Sequence, residues 1–203
     1  MAVYGLTGGI GAGKSTVCRM LQALGITVLA GDDLGRQVVE PGTPGLAALV
    51  AAFGTEVLES SGALDRRKLG ALVFGNRAKR RQLEDIMHPL VKSYSQARFA
   101  ELTAAGVPII IYESALLFET QRHHEMRGTI LVTASEAQRI ARVQQRDHTS
   151  VDAVRARMQA QLDDTTKRQL ATYILENTGD LAALQRHVQT VVTTLRQAVT
   201  SQA

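Results

Sequence analysis

A glycine-rich run near the start of the chain is the feature that most restricts its fold. Five of the nine positions in residues 5–13 are glycine, and Lys14, Ser15 and Thr16 follow directly. Glycine loses more conformational entropy on folding than other residues, so such a run indicates a backbone that approaches a ligand closely. An apolar strand pattern over residues 3–6 precedes the run, and helical spacing follows it at Val17, Met20, Leu21 and Leu24. This order predicts a strand, a binding loop and a helix.

Residues 8–15 read Gly-Gly-Ile-Gly-Ala-Gly-Lys-Ser and fit the pattern G-x-x-x-x-G-K-[ST]. The backbone N–H groups of such a loop surround a phosphate chain, and the N-terminus of the following helix adds a positive dipole. Lys14 would reach the β- and γ-phosphates, and the Ser15 hydroxyl would coordinate Mg²⁺. The motif predicts a nucleoside triphosphate site without distinguishing a kinase from an ATPase or a switch. The N-K-x-D string that usually selects guanine does not occur in the sequence.

Strand patterns alternate with amphipathic helix patterns along the rest of the chain, which is typical of parallel βαβ units. Strands are predicted at residues 3–6, 26–30, 107–112, 129–133 and 172–175, and a closing helix over residues 181–199. Between the second and third strands the apolar residues show helical spacing, which predicts a helical insertion. The expected fold is α/β with a five-stranded parallel sheet.

Composition excludes several classes of function. The 203 residues are 45% hydrophobic and 21% charged, which is typical of a globular chain, and no apolar run approaches the ~18 residues of a membrane helix. The formal charge of +4 favours an anionic partner, yet 4% aromatic content offers few stacking platforms for nucleic acid. With Cys18 as its one cysteine and no signal-peptide pattern, we expect a cytoplasmic protein without nucleic-acid or membrane partners. No oligomeric state is predicted.

Two further groups of polar residues follow predicted strands. Asp32 and Asp33 come just after the second strand, where a carboxylate could accept a proton from an alcohol or cap a helix. Because neighbouring residues at the end of an extended strand point in roughly opposite directions, we expect only one of the two side chains to face the loop. Arg146 and Arg157 belong to two basic helices after the fourth strand, which predict either a lid over the phosphates or a solvated face. To the solvated face we assign Arg139, Arg155 and Lys167.

Seven strings, in order and spacing, resemble the dephospho-coenzyme A kinase family over nearly the whole chain. They are GLTGGIGAGKSTV at residues 5–17, DLGRQVVEPG at 33–42, GALDRRKL with ALVF within 62–74, HPLV at 88–91, LLFE at 116–119, QRD at 145–147 and RMQAQ at 157–161. The resemblance implies ATP-dependent phosphorylation of the ribose 3′-hydroxyl of dephospho-coenzyme A, with Mg²⁺. The products would be coenzyme A and ADP, in the last step of coenzyme A biosynthesis.

The same resemblance implies a three-layer P-loop kinase fold in a single domain over residues 1–203. The core would comprise residues 1–62, 105–137 and 169–203, with a helical substrate-binding lobe at 63–104 and a helical lid at 138–168. By position, Asp32 would be the general base, and Lys14, Arg146 and Arg157 would act on the transferred phosphoryl group. Arg66 and His88 would lie in the substrate lobe. The nucleotide would be held by Gly11, Ala12, Gly13, Lys14, Ser15, Thr16 and Asn177.

The chain departs from the family pattern at three places. Ala30 stands where the family usually has the first aspartate of the string D-A-D. Glu176 stands where the family usually has the aspartate of the string I-D-N. In the string E-S-A-L-L-F-E, Glu113 replaces an aspartate and Ala115 replaces a proline, so a carboxylate is kept after the third strand.

Two other functions fit the loop motif without the resemblance. One is a kinase for a different small metabolite, such as a nucleoside or nucleotide. The other is a nucleotide-dependent switch or a nucleic-acid-binding ATPase, which would show partner-stimulated hydrolysis instead of transfer.

Overall fold

The computed structural model describes residues 1–201, and it confirms the predicted five-stranded parallel sheet. The strands lie in the order β2-β3-β1-β4-β5, and every neighbouring pair is parallel. Each strand lies within two residues of its predicted position. Their bounds are β1 Ala2–Thr7, β2 Thr27–Ala30, β3 Ile109–Glu113, β4 Gly128–Thr133 and β5 Tyr173–Glu176.

Helices connect the strands, as the alternating pattern predicts. They are α1 Lys14–Ala23, α2 Gly31–Gln37, α3 Pro44–Phe53, α4 Arg66–Val73, α5 Arg77–Ala104, α6 Glu136–Asp147, α7 Val151–Gln159, α8 Asp164–Leu170 and α9 Leu181–Thr200. Two short 3₁₀ helices lie at Thr55–Val57 and Arg122–Glu125. No helix within residues 1–201 has the length and apolar character to cross a membrane.

The chain divides into two compact units. The first comprises Met1–Ala30 together with the residues from Leu102 onward, and it holds the whole sheet. The second comprises Gly31–Glu101 and holds α2, α3, α4 and α5 except for its last three residues. The division into a core, a substrate lobe at residues 63–104 and a lid at residues 138–168 stays a prediction.

The core of the first unit forms where the sheet is covered by α1 and α9. Parallel strands are buried on both faces, which explains why the strands at residues 109–111 and 130–132 are continuously apolar. The apolar faces of α1 and α9 pack against this sheet, and the predicted closing helix is confirmed. The buried residues of this core include Tyr4, Leu6, Val17, Leu21, Ile111, Ile130, Leu184, Val188 and Leu195.

The second unit has an apolar core of its own. The helical spacing predicted for the insertion is confirmed by α3, α4 and α5, which pack through Leu46, Leu49, Phe53, Leu69, Leu83, Ile86 and Leu90. Two helix starts are fixed by caps: the Thr43 side chain accepts from the Leu46 N–H, and Asp65 accepts from Arg67 and Lys68.

Candidate active site

The loop between β1 and α1 follows the central strand of the sheet. β1 lies between β3 and β4 and ends at Thr7, and α1 begins at Lys14. Gly11 and Gly13 have φ angles of 76° and 103°, a backbone region that residues other than glycine rarely adopt. Because the first N–H groups of a helix have no intrahelical acceptor, the first turn of α1 presents donors at the end of the loop. This is the conformation that a phosphate-binding loop requires.

Lys14 lies along the loop with its ammonium near two oxygens. Its Nζ donates to the carbonyl of Gly8 at 3.0 Å and lies 4.0 Å from the Glu113 carboxylate. Glu113 ends β3, the neighbour of β1, so its carboxylate reaches the same edge of the sheet. The exposed Ser15 hydroxyl stands in the first turn of α1. An ammonium, a carboxylate and a hydroxyl therefore belong to one edge of the sheet.

Two loop glycines are required by the neighbouring backbone. A Cβ at Gly8 would collide with the carbonyl oxygen of Val132, and a Cβ at Gly11 would collide with that of Arg139. At Gly9 a Cβ would meet the far end of the Arg139 side chain. The sequence predicts these glycines from a ligand alone, whereas the packing of β4 and α6 against the loop requires two of them even without a phosphate.

The prediction that Arg139 and Lys167 lie on a solvated basic face is wrong. Arg139 is 5% exposed, and its guanidinium pairs with Asp164 at 2.7 Å. Lys167 is fully buried, and its ammonium lies 3.0 Å from the carboxylate of Glu119. A buried charge is costly unless it is paired, and each of these cations has a carboxylate partner from a distant part of the chain. Arg155, the third member of the group, is exposed as predicted.

Asn177 lies against the phosphate loop. It follows β5, is 8% exposed, and donates from Nδ2 to the carbonyl of Ala12 at 2.8 Å. The main-chain carbonyl of Asn177 accepts from the Arg142 guanidinium at 3.0 Å. A second nitrogen of this guanidinium lies 3.4 Å from the main-chain carbonyl oxygens of Gly11 and Ala12. The sequence predicts Arg142 only as a member of the basic face that Arg139 and Arg146 share on this helix, without a contact to the loop. Its spacing of three residues from Arg139 on α6 was the available signal, because both side chains share one helix face.

Arg146 and Arg157, predicted from two different helices, meet at one carboxylate. Arg146 at the end of α6 makes two hydrogen bonds to Asp147, at 2.6 and 3.0 Å. Arg157 on α7 donates to Asp147 at 2.9 Å. The hydrogen bonds from Arg146, followed by its charge and that of Arg157, lower the pKa of Asp147 to about 2. Asp147 belongs to the string QRD at residues 145–147, but the sequence alone predicts no role for it.

The expectation of an extended chain at Asp32 and Asp33 is wrong. Both residues belong to the first turn of α2, where neighbouring side chains are separated by about 100° around the axis and do not point in opposite directions. Asp33 pairs with Arg36 at 2.7 Å on the exposed surface. Asp32 is exposed in the first turn, a place where a carboxylate also stabilises a helix N-terminus.

The sequence-predicted site residues are divided between the two units. The phosphate loop, Asn177, Arg146 and Arg157 belong to the first unit. Asp32, Arg66 and His88 belong to the second. Arg66 begins α4 directly after the cap at Asp65, His88 lies within α5, and both are exposed.

Comparison with known proteins gives the family. The family model described as dephospho-CoA kinase matches residues 2–183. A dephospho-CoA kinase from Anaeromyxobacter dehalogenans is 40% identical over 196 residues, which cover 97% of this chain and 93% of that protein.

Two solved structures have the same fold. A crystal structure of a protein from Thermus thermophilus has a TM-score of 0.80 at 36% identity and covers 96% of this chain and 97% of that chain. The dephospho-CoA kinase from Campylobacter jejuni has a TM-score of 0.68 at 22% identity, with the same coverage of both chains, and supports the fold alone. The predicted resemblance and the P-loop kinase fold are confirmed: the chain belongs to the dephospho-CoA kinase family.

Proposed function

We propose that this chain transfers the γ-phosphoryl group of ATP to the ribose 3′-hydroxyl of dephospho-coenzyme A, giving coenzyme A and ADP. Family membership carries the choice of substrate, and the phosphate loop between β1 and α1 supports ATP as the donor. Phosphoryl transfer depends on positioning and on neutralising the charge that spreads over the transferred group. The proposed roles of the residues follow from these two needs.

The phosphate loop would hold the donor. Residues 11–16 would bind the phosphate oxygens chiefly through N–H groups other than those of Ala12 and Thr16, which donate to the carbonyls of Gly9 and Gly13. Lys14 would follow the migrating phosphoryl group with its ammonium, exchanging the Gly8 carbonyl for a phosphate oxygen. Asn177 would act on the nucleotide side through the loop, because its amide bonds to Ala12.

Arg146 and Arg157 would supply cations to the transferred group. Their shared partner, Asp147, holds the two guanidinium groups together while about half of each side chain or more stays exposed. Each guanidinium has five donors, so a bond to Asp147 leaves others for phosphate oxygens. The segment 138–168 would then serve as the lid and exclude water from the reaction.

The acceptor side would be formed by the second unit. Asp32 would orient the ribose 3′-hydroxyl and accept its proton, which an ionised carboxylate can do at neutral pH. Arg66 and His88 would contact the anionic acceptor within a substrate lobe at residues 63–104. The support is chemical: both residues are exposed, and the Arg66 guanidinium suits phosphate.

Residues at the start of α1 and at the end of β3 fit Mg²⁺. Hydroxyl and carboxylate oxygens are the ligands that this ion prefers, and the edge of the sheet offers Ser15 and Glu113. Mg²⁺ would neutralise charge on the β- and γ-phosphates when bound. Ser15 is proposed as the ligand, and the Glu113 carboxylate, 4.0 Å from Lys14, would lie close to the same phosphates.

We propose a cytoplasmic place of action, with ATP and dephospho-coenzyme A as small-molecule partners and no role for nucleic acid or a membrane. The free thiol of Cys18 is compatible with a reducing compartment. Burial raises the pKa of this thiol to about 12, so it stays protonated and is a poor nucleophile.

The decisive experiment measures ADP release with ATP, Mg²⁺ and dephospho-coenzyme A, and identifies the product by mass spectrometry. We expect coenzyme A phosphorylated at the ribose 3′-hydroxyl. A panel of nucleosides, nucleotides and other small alcohols tests the competing kinase functions. Turnover on one of these but not on dephospho-coenzyme A would overturn the assignment, and so would hydrolysis stimulated only by nucleic acid.

A further inference from the structure

Ile10, at the tip of the phosphate loop, is attached to the helical segment 138–168 through its side chain and both main-chain groups. Its carbonyl accepts from Nε of Arg139 at 2.9 Å, and its N–H donates to Oε1 of Gln161 at 2.9 Å. Its side chain packs against an apolar cluster formed by Ile140, Val143, Val151, Val154 and Met158. The loop tip therefore depends on this segment for its hydrogen bonds and for its packing.

Gln161 lies in the short connection between α7 and α8, and this connection is fixed at neighbouring residues. The N–H of Leu162 donates to Glu119 at 3.0 Å, and the same carboxylate pairs with buried Lys167. Asp164, the first residue of α8, pairs with Arg139 at 2.7 Å. Because the backbone on which it stands is held in place, Gln161 offers the Ile10 N–H an acceptor at a defined position.

We propose that Gln161 is a positioning residue that sets the conformation of the phosphate loop through the Ile10 amide and so prepares the loop for the triphosphate. The inference rests on the proposed function, since it concerns how ATP is held for transfer. The side chain suits this task because a neutral carboxamide accepts an N–H bond without adding negative charge near the phosphates.

Two substitutions separate the hydrogen bond from the charge. Gln161→Met keeps the approximate shape and removes the acceptor, so the part-buried N–H of Ile10 loses its partner. We expect kcat/KM for ATP to fall about tenfold, while KM for dephospho-coenzyme A stays within about twofold. Gln161→Glu keeps an acceptor and adds a carboxylate, so we expect weaker ATP binding whose deficit grows as the ionic strength falls. The matched control is Gln169→Met on an exposed position of α8, which should leave both parameters unchanged.

The measurements are steady-state kinetics with each substrate varied, ADP binding by calorimetry without acceptor, and a melting curve for each variant. Wild-type ATP parameters in Gln161→Met, or an effect confined to KM for dephospho-coenzyme A, would overturn the inference. If Gln161→Met does not fold, Gln161→Ala, which also removes the acceptor, decides, and wild-type ATP parameters in that variant overturn the inference. If the wild-type protein transfers nothing to dephospho-coenzyme A, the proposed function fails, whereas the calorimetry still tests Gln161.

Discussion

At the scale of single residues, two buried cations are stabilised by carboxylates that lie far away in the sequence. Arg139 pairs with Asp164, and Lys167 pairs with Glu119. Because a buried charge is costly without a partner, each cation depends on its carboxylate. A periodic sequence pattern records polarity but not which polar groups meet, so these pairs could not be predicted, whereas Lys14 belongs to a local motif.

Lys14→Ala should abolish transfer and leave the fold intact. The ammonium stabilises the transferred phosphoryl group, so its loss should cost about 3 kcal/mol or more in the transition state, or at least two orders of magnitude in turnover. The lysine stands at the start of α1 with its side chain on the Gly8 carbonyl, so alanine should have little effect on stability. Turnover near the wild-type value with an unchanged melting curve would contradict the role of the loop.

Asp32→Asn should lower kcat by about 10²-fold, the usual consequence of losing a general base. Asp33→Asn should change turnover only slightly, since Asp33 pairs with Arg36 on the exposed surface. The two variants are matched controls because both lie in the first turn of α2 and lose one charge. Steady-state kinetics at saturating ATP and Mg²⁺ compare them. A larger defect in Asp33→Asn would mean that the base has been assigned to the wrong neighbour.

At the scale of elements, the spacing of apolar residues and the turn signals between them were sufficient to predict most of the structure. All five strands and the closing helix were predicted because buried parallel strands and amphipathic helices have distinct periods. The short helix α2 was indicated only by the alternative that Asp32 and Asp33 cap a helix. Its seven residues, Gly31–Gln37, contain two glycines and bury one side chain, Leu34, so they leave no helical period to recognise.

The ion pair between Glu119 and Lys167 should be essential for the stability of α8. Glu119→Gln leaves the ammonium buried without a compensating charge, which should cost about 3–5 kcal/mol and lower Tm by roughly 10 °C. The double variant Glu119→Gln/Lys167→Met should regain most of this loss, since no buried charge remains. Glu136→Gln, which breaks the exposed pair with Arg155, is the control and should cost about 1 kcal/mol or less. Equal melting curves for the two single variants would show that the burial of Lys167 is not costly.

Arg146→Ala and Arg157→Ala should each lower kcat more than they raise KM for dephospho-coenzyme A, because their charges are needed most in the transition state. The defect should not vary between pH 6 and 9. The folded-state pKa of Asp147 is lowered to about 2, so its pairing contributes stability above its ordinary value of 3.8 and loses it only as the pH falls towards 2. Steady-state kinetics of both variants between pH 6 and 9 test whether kcat falls more than KM rises and whether the defect is independent of pH. Full turnover with loss of salt-sensitive nucleic-acid binding would favour a basic surface instead of a lid.

At the scale of the whole molecule, the residues proposed for the donor and the residue proposed as the base for the acceptor belong to different units. The phosphate loop with its supporting arginines belongs to the first unit, and the exposed basic helices α4 and α5 belong to the second. The sequence predicted both parts because each has its own pattern. It could not supply the contacts of the loop tip, because these join residues 129 and 151 positions apart in the chain.

Hydrogen exchange should distinguish the two parts. Dephospho-coenzyme A should slow amide exchange within residues 63–104, where basic residues alternate with the apolar faces of the helices. ATP alone should slow exchange in the loop over residues 8–16 and leave the substrate lobe unchanged. Protection by dephospho-coenzyme A that is limited to the loop would contradict a lobe built for the acceptor.

The attachment of Ile10 also restricts how such enzymes can be engineered. Recombining kinases by exchanging the segment 138–168 treats that segment as an independent cassette. Here the cassette would carry Arg139 and Gln161 away from the loop tip, and a recipient with any side chain at the position of Gly11 would collide with the backbone of the incoming arginine. A functional chimera must therefore inherit the loop tip and the helical segment from the same parent, although the two are separated by more than a hundred residues of sequence.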